Sequence, residues 1–265
     1  YMDRMSVSVI QMDIAEGAPE LNRKRVREMV EKAAAEKPDV ILLPEMWTTA
    51  YELSKLKYLC DREGRPTLDM ICELAVKYRI NIVAGSIASM DEDGNIRNTC
   101  YVVDRKGNIA AKYEKMHLIG LMGEDKYMKP GSKCCVFEID GIKCGVIICY
   151  DLRFPELTRT LVMEGIRVLF IPAEWPTKRL MHWNILLKAR AIENQIFVVA
   201  ANRAGNSMDD EFAGGSAIID PWGEVIKKAD YKEQIFTSEL QLSKVEEVRS
   251  YMTVFSDRVP ELYRI

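Results

Sequence analysis

Histidine is scarce in this 265-residue sequence, which contains only His117 and His182, and no Cys-x-x-Cys or His-x-x-x-His spacing occurs. Metal sites in proteins are built mainly from such clustered ligands, so we expect no metal site. The same scarcity leaves any cysteine nucleophile with a single candidate histidine partner, His117. The other interpretation of His117 is a loop residue that hydrogen-bonds to the backbone.

An excess of either charge is also missing, because 37 Lys and Arg residues face 40 Asp and Glu residues, for a formal net charge of -3. Nucleic-acid binding requires a concentrated basic surface that neutralises phosphates. The densest basic segment, residues 23–27, lies among glutamates on a predicted helix and is interpreted as a solvated face. No apolar run is long enough to span a bilayer, and we expect no signal peptide. We therefore expect neither nucleic acid nor a membrane as a partner.

A disulfide framework is missing as well. The seven cysteines are an odd number and are scattered over positions 60, 72, 100, 134, 135, 144 and 149. A chain of this length can bury a sufficient core without disulfide bonds, so we expect free thiols and a cytoplasmic protein. No Ser-, Gly- or Pro-rich linker divides the chain. We expect a single domain over residues 1–265, with residues from about 249 to 265 forming a C-terminal tail docked on the core or on a partner subunit.

Hydrophobic periodicity predicts alternating strands and helices in the first half of the chain. The segments are strands at residues 5–10, 39–43 and 81–87, and helices at about 20–36 and 67–78. This β-α-β-α-β order is typical of a largely parallel sheet covered by helices. Further along, residues 116–131 show no clear period and are predicted to form a long functional loop.

The second half of the chain repeats this outline. Strands are predicted at residues 134–139, 142–148, 168–172, 196–200 and 215–220, and helices at 156–164 and about 178–194. In each half an apolar strand is closed by a proline, Pro44 or Pro172, with an acidic residue close behind. Two sheets packed back to back, each with helices outside, would place all of these strands in one domain.

Cys149 follows directly on an apolar run, residues 145–148, that is typical of a buried strand. Asp151 is a possible N-cap, and Pro155 stands near the start of the next predicted helix. Unpaired N–H groups and the macrodipole at a helix N-terminus stabilise a thiolate, so this strand-to-helix turn favours a nucleophile. The alternative is a buried, unreactive cysteine that packs as a small apolar residue.

Three reactive residue types fall at the ends of predicted strands: Glu45, Lys115 and Cys149. Strand ends and the loops after them are where sites form in α/β sheets. A carboxylate, an ammonium and a thiol together can perform acyl transfer. The carboxylate takes the thiol proton and later activates water, the ammonium stabilises the oxyanion, and the thiolate forms a thioester. Taken singly, Glu45 and Lys115 are equally compatible with solvated surface residues.

Three blocks of sequence carry a resemblance to a known family. They are Leu-Pro-Glu at 43–45, Lys-Tyr-Glu-Lys-Met-His-Leu at 112–118 and Cys-Tyr-Asp-Leu-Arg-Phe-Pro-Glu at 149–156. They resemble the signature motifs of the nitrilase, or carbon-nitrogen hydrolase, superfamily, and the similarity extends over essentially the whole chain. The resemblance implies an α/β fold, a four-layer α-β-β-α sandwich with two central mixed sheets, that forms a homodimer. It also implies a Glu45-Lys115-Cys149 triad without metal or organic cofactor, and a further glutamate that Glu124 matches.

Within that superfamily, the Cys-Tyr-Asp-Leu-Arg-Phe block is similar to the omega-amidase branch, which hydrolyses the terminal amide of 2-oxoglutaramate and related 2-oxo acids. Arg153, on the first turn after Cys149, can present a bidentate fork to a substrate carboxylate. The alternative is that Arg153 pairs with Glu156 or another acid of the protein. Three aromatic residues are also expected to line the substrate pocket, or else to be plain packing residues: Tyr51, Tyr150 and Trp175.

The predicted function is a thiol-dependent amidohydrolase that cleaves the terminal amide of a small carboxylate-bearing substrate. In this hypothesis Lys115 and the backbone N–H after Cys149 hold the oxyanion, while Glu124 holds Lys115 or positions the amide. Two alternatives stay open. One is another nitrilase-branch hydrolase, such as an amidase for deaminated glutathione or an N-carbamoyl amidase. The other is a non-catalytic protein that keeps the fold and binds a partner.

Overall fold

The computed structural model describes residues 3–208 and 210–263. The α-helices in these ranges are α1 (Pro19–Ala34), α2 (Leu56–Leu59), α3 (Thr67–Tyr78), α4 (Glu124–Tyr127), α5 (Pro155–Met163), α6 (Leu180–Asn194) and α7 (Ser243–Tyr251). The strands are β1 (Arg4–Gln11), β2 (Val40–Leu42), β3 (Asp61–Arg62), β4 (Asn81–Val83), β5 (Ile87–Met90), β6 (Ile96–Val103), β7 (Ile109–Glu114), β8 (Val136–Ile139), β9 (Ile142–Val146), β10 (Val168–Ala173), β11 (Phe197–Asn202), β12 (Ala204–Asn206), β13 (Glu211–Ala213), β14 (Ala217–Ile219), β15 (Val225–Lys228) and β16 (Gln234–Gln241).

Two mixed sheets form the centre of the molecule. The first has the strand order β16-β1-β2-β4-β6-β5-β3, with β7 also paired to β6. The second has the order β15-β14-β11-β10-β9-β8, in which β9, β10 and β11 run parallel. In the first sheet β1, β2 and β4 run parallel, while β16 and β6 are antiparallel to their neighbours. Both sheets are therefore mixed, as expected.

Alternation along β2 explains why the sheets stack. Val40 and Leu42 belong to the large apolar cluster that includes second-sheet residues such as Phe170, whereas Ile41 packs into a cluster with residues of α1 and α3. A strand that is apolar on both faces must be covered on both sides. Helices α5 and α6 pack their apolar residues against the second sheet. The layers confirm the four-layer α-β-β-α sandwich.

The strand predicted at residues 81–87 is in fact two strands, β4 and β5, and the break shapes the site. Gly85 has a φ of +62°, and a Cβ there would stand 2.0 Å from the carbonyl oxygen of Pro44. A side chain is excluded at this close approach. The next residue, Ser86, donates its N–H to that same oxygen and accepts the N–H of Met46 on its hydroxyl. The break therefore fixes the backbone on both sides of Glu45.

The interpretation of Asp151 as the cap of α5 is wrong. Pro155 is the first residue of α5 and Phe154 occupies the capping position, while residues Cys149–Arg153 form a separate 3-10 turn. The side chain of Asp151 is fully buried beneath that turn. Its carboxylate accepts the N–H of Ile148 at 2.9 Å, so it stabilises the turn that carries Cys149 and does not cap α5.

The C-terminal segment returns to the second half of the molecule after α7. Gln195 donates its side-chain amide to the carbonyl of Met252 at 2.7 Å, and the ring of Phe255 lies between the guanidinium groups of Arg159 and Arg249. Docking on a partner subunit stays a prediction, and residues 264–265 of the predicted tail lie outside the described ranges. Over residues 3–208 and 210–263, no helix is long and apolar enough to cross a membrane.

Candidate active site

Glu45 lies at the point where the two sheets meet. It follows the end of β2, is fully buried, and donates its backbone N–H to the carbonyl of Ala173 at the end of β10. Its carboxylate accepts four hydrogen bonds. The donors are the Tyr51 hydroxyl at 2.8 Å, the Asn98 amide at 2.8 Å, the Lys115 ammonium at 2.9 Å and the backbone N–H of Glu174 at 2.8 Å. Four donors hold this buried carboxylate in one position.

Lys115 follows β7 and points its ammonium between two carboxylates. Its Nζ lies 2.9 Å from Glu45 Oε1, 2.8 Å from Glu124 Oε2 and 3.1 Å from the Tyr51 hydroxyl. Burial alone would lower the pKa of Lys115, but the charges of Glu124 and Glu45 outweigh burial and raise this pKa well above its ordinary value. Lys115 is therefore a cation, with its three N–H donors engaged.

Glu124 opens the short helix α4 and is as deeply buried as Glu45. Its Oε2 accepts the backbone N–H of Ile119 at 2.8 Å, and its Oε1 accepts the Asn98 amide at 3.0 Å. The segment of residues 116–131, predicted as one long loop, thus contains a helical turn whose first side chain reaches back to Lys115. Glu124 ties this loop to the centre of the site.

Cys149 occupies a strained turn directly after the extended residues that follow β9. Its φ is +46°, in the left-handed region that L-residues rarely adopt. Burial raises the pKa of the Cys149 thiol well above its ordinary value, the charge of Glu45 raises it further, and Lys115 acts in the opposite direction. The resting group is therefore a thiol. The expected thiolate at a helix N-terminus is wrong, because α5 begins only at Pro155.

His117 is not the partner of Cys149. Its backbone N–H donates to Asp151 Oδ1 at 3.0 Å, and its ring Nδ1 lies 2.7 Å from the same oxygen. The other carboxylate oxygen of Asp151 accepts the hydroxyl of Tyr113 at 2.7 Å. Since Tyr113 and His117 flank Lys115 in the chain, Asp151 connects the lysine segment to the nucleophile turn. The alternative interpretation of His117 was a loop residue that hydrogen-bonds to the backbone. In the structure its ring instead contacts the side chain of Asp151.

A narrow cleft leads from the surface to Cys149. Its walls include Met122, Tyr150, Arg153, Glu174, Trp175 and Arg179. Three expected pocket residues, Tyr150, Arg153 and Trp175, thus line it. Tyr51 lies deeper, with its hydroxyl on Glu45 and Lys115, and also faces an adjoining cavity.

The guanidinium of Arg153 faces this cleft without an acidic partner. It stacks 4.8 Å above the ring of Trp175, and its Nη2 lies 3.2 Å from Nδ1 of His182. Within the part of the chain that the structure describes, Arg153 makes no ion pair with Glu156 or with any other carboxylate. The alternative of a structural ion pair is therefore wrong, and the cation stays available to a ligand.

Sequence reasoning missed two buried residues of the site. Asn98 lies inside β6, where nothing in the local pattern marks it, yet its amide joins Glu45 to Glu124. Glu174 follows β10 as Glu45 follows β2, and this repeated strand-proline-acid pattern was the available signal. Burial raises the pKa of Glu174 to about 8, although the neighbouring guanidinium of Arg203 opposes that rise.

Burial thus shifts Glu174 toward its protonated form. One of its oxygens is hydrogen-bonded to Arg203, and the other, Oε2, has no hydrogen-bond partner in the described ranges. No group of three or more His, Cys, Asp or Glu side chains in residues 3–208 and 210–263 is placed to hold a metal ion. The chemistry at hand is that of one thiol, one ammonium and several carboxyl groups.

Comparisons with known proteins show which proteins this chain is similar to. The family model described as carbon-nitrogen hydrolase matches residues 6–250. The chain is 44% identical to the 2-oxoglutaramate amidase of Bacillus subtilis, over 98% of this chain and 100% of that protein. It is 30% identical to omega-amidase NIT2 of Danio rerio, over 100% of this chain and 98% of that protein. Among solved structures, Saccharomyces cerevisiae Nit3, a member of branch 10 of the nitrilase superfamily, is 27% identical, with a TM-score of 0.90 and 97% of each chain covered.

Proposed function

The chain belongs to the carbon-nitrogen hydrolase family, and from that premise we propose that it removes the terminal amide of a small carboxylate-bearing substrate of the 2-oxoglutaramate type. The observation that carries this proposal is the unpaired guanidinium of Arg153 beside Cys149 in one cleft. A guanidinium fork matches a carboxylate, whereas a neutral nitrile would leave it unpaired. The similarity to the Bacillus subtilis 2-oxoglutaramate amidase supports the same substrate class.

Glu45 serves as the base for Cys149, and the charges of the site explain why. Glu45, Glu124 and Lys115 together carry a net charge of minus one, all of it buried. Losing the thiol proton to solvent would add a second buried negative charge, which low-dielectric surroundings disfavour. Passing the proton from Cys149 to Glu45 keeps the net charge constant. The thiolate forms only as it attacks the amide carbonyl, and Glu45 then gives the proton to the departing ammonia.

Lys115 and the backbone N–H of Tyr150 hold the oxyanion of the tetrahedral intermediate. The ammonium of Lys115 has four oxygens within hydrogen-bonding distance for its three donors. It can therefore turn one donor toward the oxyanion and release the weaker contact, 3.1 Å long, to the Tyr51 hydroxyl. Glu124 retains the ammonium through the exchange. Such a pre-positioned donor stabilises charge only where it develops.

The second half-reaction uses the same groups. The acyl group of the substrate is now a thioester on Cys149, and Glu45 removes a proton from the water that attacks it. Collapse of that intermediate releases the carboxylic acid product and returns the thiol. Glu45 acts as base twice, toward Cys149 and then water, and as acid twice, toward ammonia and then the departing thiolate. Its four hydrogen bonds must therefore keep it in one position throughout the cycle.

We further propose a homodimer in a reducing, cytoplasmic setting. The outer faces of α5 and α6 expose large apolar side chains: Met163 at 53%, Met181 at 66%, Ile185 at 57% and Ile192 at 52%. Large apolar side chains exposed on two helices that pack against each other support an interface with a second copy. All seven cysteines are free thiols, as a reducing compartment allows, and the proposed chemistry requires a reduced Cys149.

The proposal is tested by ammonia release across a panel of 2-oxo-acid amides, N-carbamoyl amines and nitriles. We expect 2-oxoglutaramate to give the highest kcat/KM. Replacing Arg153 by alanine should lower kcat/KM for carboxylate-bearing amides by about 10- to 100-fold, mainly through KM, because a charge-assisted bidentate contact is lost. Amides without a carboxylate should be affected by less than about threefold.

Two results would contradict the proposal: the first concerns the carboxylate anchor at Arg153, and the second concerns the choice of substrate. One is an equal loss on substrates with and without a carboxylate, which would indicate a damaged cleft. The other is a higher kcat/KM for a deaminated peptide amide or an N-carbamoyl amine than for 2-oxoglutaramate, which would favour another nitrilase branch. The matched control is Lys188→Ala, which removes an exposed cation from α6.

A pH dependence follows from Glu174. Its pKa in the folded protein, about 8, lies above the ordinary value of 4.5 because of burial, so deprotonation above pH 8 adds a negative charge beside Glu45 and the substrate carboxylate. We expect kcat/KM for 2-oxoglutaramate to fall above about pH 8. Glu174→Gln should remove this alkaline fall, since glutamine resembles the protonated acid. A pH profile of both proteins between pH 6 and 9.5 measures the effect.

The Glu174 carboxyl also makes the stability of the folded protein depend on pH. The folded protein holds the Glu174 proton more tightly than the unfolded chain does. The stabilisation of the folded state that results is complete below pH 4.5 and is lost as the pH rises through about 8. Between pH 6 and 9 the Tm of the wild type should therefore fall more steeply than that of Glu174→Gln. Glu156→Gln, at an exposed site on α5, is the control and should keep the wild-type slope. Parallel slopes for wild type and Glu174→Gln would contradict the assignment.

A further inference from the structure

A second arginine, Arg179, lines the cleft that reaches Cys149 and has no role in the steps above. It ends the short 3-10 turn Thr177–Arg179, which follows β10, whereas Arg153 ends the turn that follows β9. The two guanidinium groups thus enter one cleft from the ends of neighbouring strands. Nothing in the local sequence pattern distinguished Arg179 from the adjacent Lys178.

The side chain of Trp175 contacts the guanidinium of Arg153 and the backbone of Arg179. Its ring lies under the guanidinium of Arg153 at 4.8 Å, and its indole N–H donates to the backbone carbonyl of Arg179 at 2.8 Å. Trp175 itself is only 3% exposed, and its backbone N–H donates to the side chain of Asn202 at 2.7 Å. The buried Trp175 thus joins the side chain of Arg153 to the backbone of Arg179 at the wall of one cleft.

The charge of Arg179 lacks an acidic partner in residues 3–208 and 210–263. Its one side-chain contact is weak, from Nη2 to the thioether sulfur of Met122 at 3.9 Å. The neighbouring cation, Lys178, is neutralised by Asp210 at 2.5 Å. Glu174, the acid on the cleft wall, binds Arg203 and makes no ion pair with Arg179. Two cations in a narrow cleft repel each other, and a bound ligand with several acceptor oxygens relieves that repulsion.

We propose that Arg179 is a specificity-determining residue that binds the 2-oxo oxygen of the substrate, while Arg153 binds the adjoining carboxylate. A 2-oxo acid presents three acceptor oxygens in one nearly planar group, and two guanidinium forks supply donors for all three. A plain carboxylate would occupy Arg153 and leave Arg179 unsatisfied. The inference rests on the proposed function and deepens it, because it separates 2-oxo-acid amides from simple dicarboxylic monoamides.

The test compares 2-oxoglutaramate with glutaramate, which differs only in lacking the 2-oxo group, in wild type and Arg179→Met. We expect the variant to lose about 30-fold or more in kcat/KM for 2-oxoglutaramate and less than about threefold for glutaramate. Arg153→Ala should lose on both substrates, because both carry the carboxylate. Arg179→Lys, which keeps the charge without the planar fork, should recover part of the loss on 2-oxoglutaramate.

A binding measurement separates recognition from catalysis. Calorimetric titration of 2-oxoglutarate and glutarate into wild type and Arg179→Met should show a Kd increase of about 30-fold for 2-oxoglutarate and little change for glutarate. The matched control is Lys178→Met, which removes the neighbouring, ion-paired cation and should leave both values unchanged.

Equal losses on the two substrates, or no loss on either, would overturn the assignment of Arg179. The first result would mean that both arginines hold the carboxylate. If the wild type hydrolyses neither amide, the proposed function itself fails, and this outcome is recognised from the wild type alone before any variant is compared.

Discussion

Replacing Cys149 by alanine should reduce ammonia release from 2-oxoglutaramate by about 10⁵-fold or more, to the level of the assay blank. The nucleophile of a covalent mechanism has no substitute in the site, and its loss typically removes nearly all of the rate acceleration that the catalytic group provides. Cys149→Ser should be almost as inactive, because a hydroxyl has a higher pKa than a thiol and Glu45 is a poor base for it. A coupled assay for ammonia measures both variants.

The control for this prediction separates lost chemistry from lost folding. Cys149 is small and packs in the large apolar cluster, so alanine should change the Tm by only a few degrees. Cys134→Ala removes an exposed thiol and should keep wild-type kcat/KM. Ammonia release by a folded Cys149→Ala protein at more than about 1% of the wild-type rate would be incompatible with the mechanism.

Replacing Lys115 by methionine should damage both activity and stability. Methionine fills the space of the aliphatic stem but leaves the carboxylates of Glu45 and Glu124 buried without their shared cation. Breaking a buried ion pair in this way typically costs about 3–5 kcal/mol of unfolding free energy. Losing an oxyanion donor lowers kcat by about 10²–10³-fold, and the misplaced Glu45 should add to that loss. Thermal unfolding and ammonia release measure the two effects separately.

A double substitution distinguishes the two roles of Lys115. Lys115→Met combined with Glu124→Gln removes one of the stranded charges, so it should recover a substantial part of the lost stability without recovering activity. Lys112→Met, on β7 just before Lys115, removes a cation whose side chain is 40% exposed and should change neither quantity appreciably. If Lys115→Met kept at least a tenth of the wild-type kcat, the ammonium could not be the oxyanion donor.

The placement of Glu45 and Cys149 at strand ends was predictable because each follows a strongly apolar segment, whereas Lys115 follows β7, whose residues are mostly exposed or half-buried. The segments directly before Glu45 and Cys149, residues 40–43 and 145–148, are fully buried, so their sequences are continuous apolar runs. The motif resemblance then supplied the sandwich fold. These features are local in sequence, so they can be recognised without knowledge of the tertiary structure.

The features that sequence reasoning missed depend on contacts between distant segments. Asn98 matters because β6 passes beside both Glu45 and Glu124, which no window around residue 98 reveals. Burial raises the pKa of Glu174, and Arg203, which lies 29 residues later, limits that rise. Neither effect can be inferred from the local sequence. Strand β16 was not predicted because it is the edge of its sheet, where only Phe236 and Leu240 are buried and the apolar pattern is weak.

The two wrong expectations around Cys149 have a common cause. A proline shortly after a predicted strand signals the start of a helix. The sequence does not tell, however, whether that helix begins at Cys149 or only after the additional turn Cys149–Arg153. Asp151 was interpreted as a cap from its side-chain type, whereas burial beneath the turn gives it Tyr113 and His117 as partners. In the proposed mechanism the thiol is therefore activated by Glu45, and the N-terminus of α5 has no part in it.

The central claim, a thioester on Cys149 during amide hydrolysis, is tested most directly by intact-mass spectrometry of acid-quenched reactions. Wild-type protein mixed with 2-oxoglutaramate and quenched within milliseconds should carry an added mass equal to the substrate minus ammonia, located on the peptide that contains Cys149. Cys149→Ala treated identically should carry none. An acyl adduct located on a different residue, or undiminished ammonia release after Cys149 has been selectively alkylated, would contradict the account.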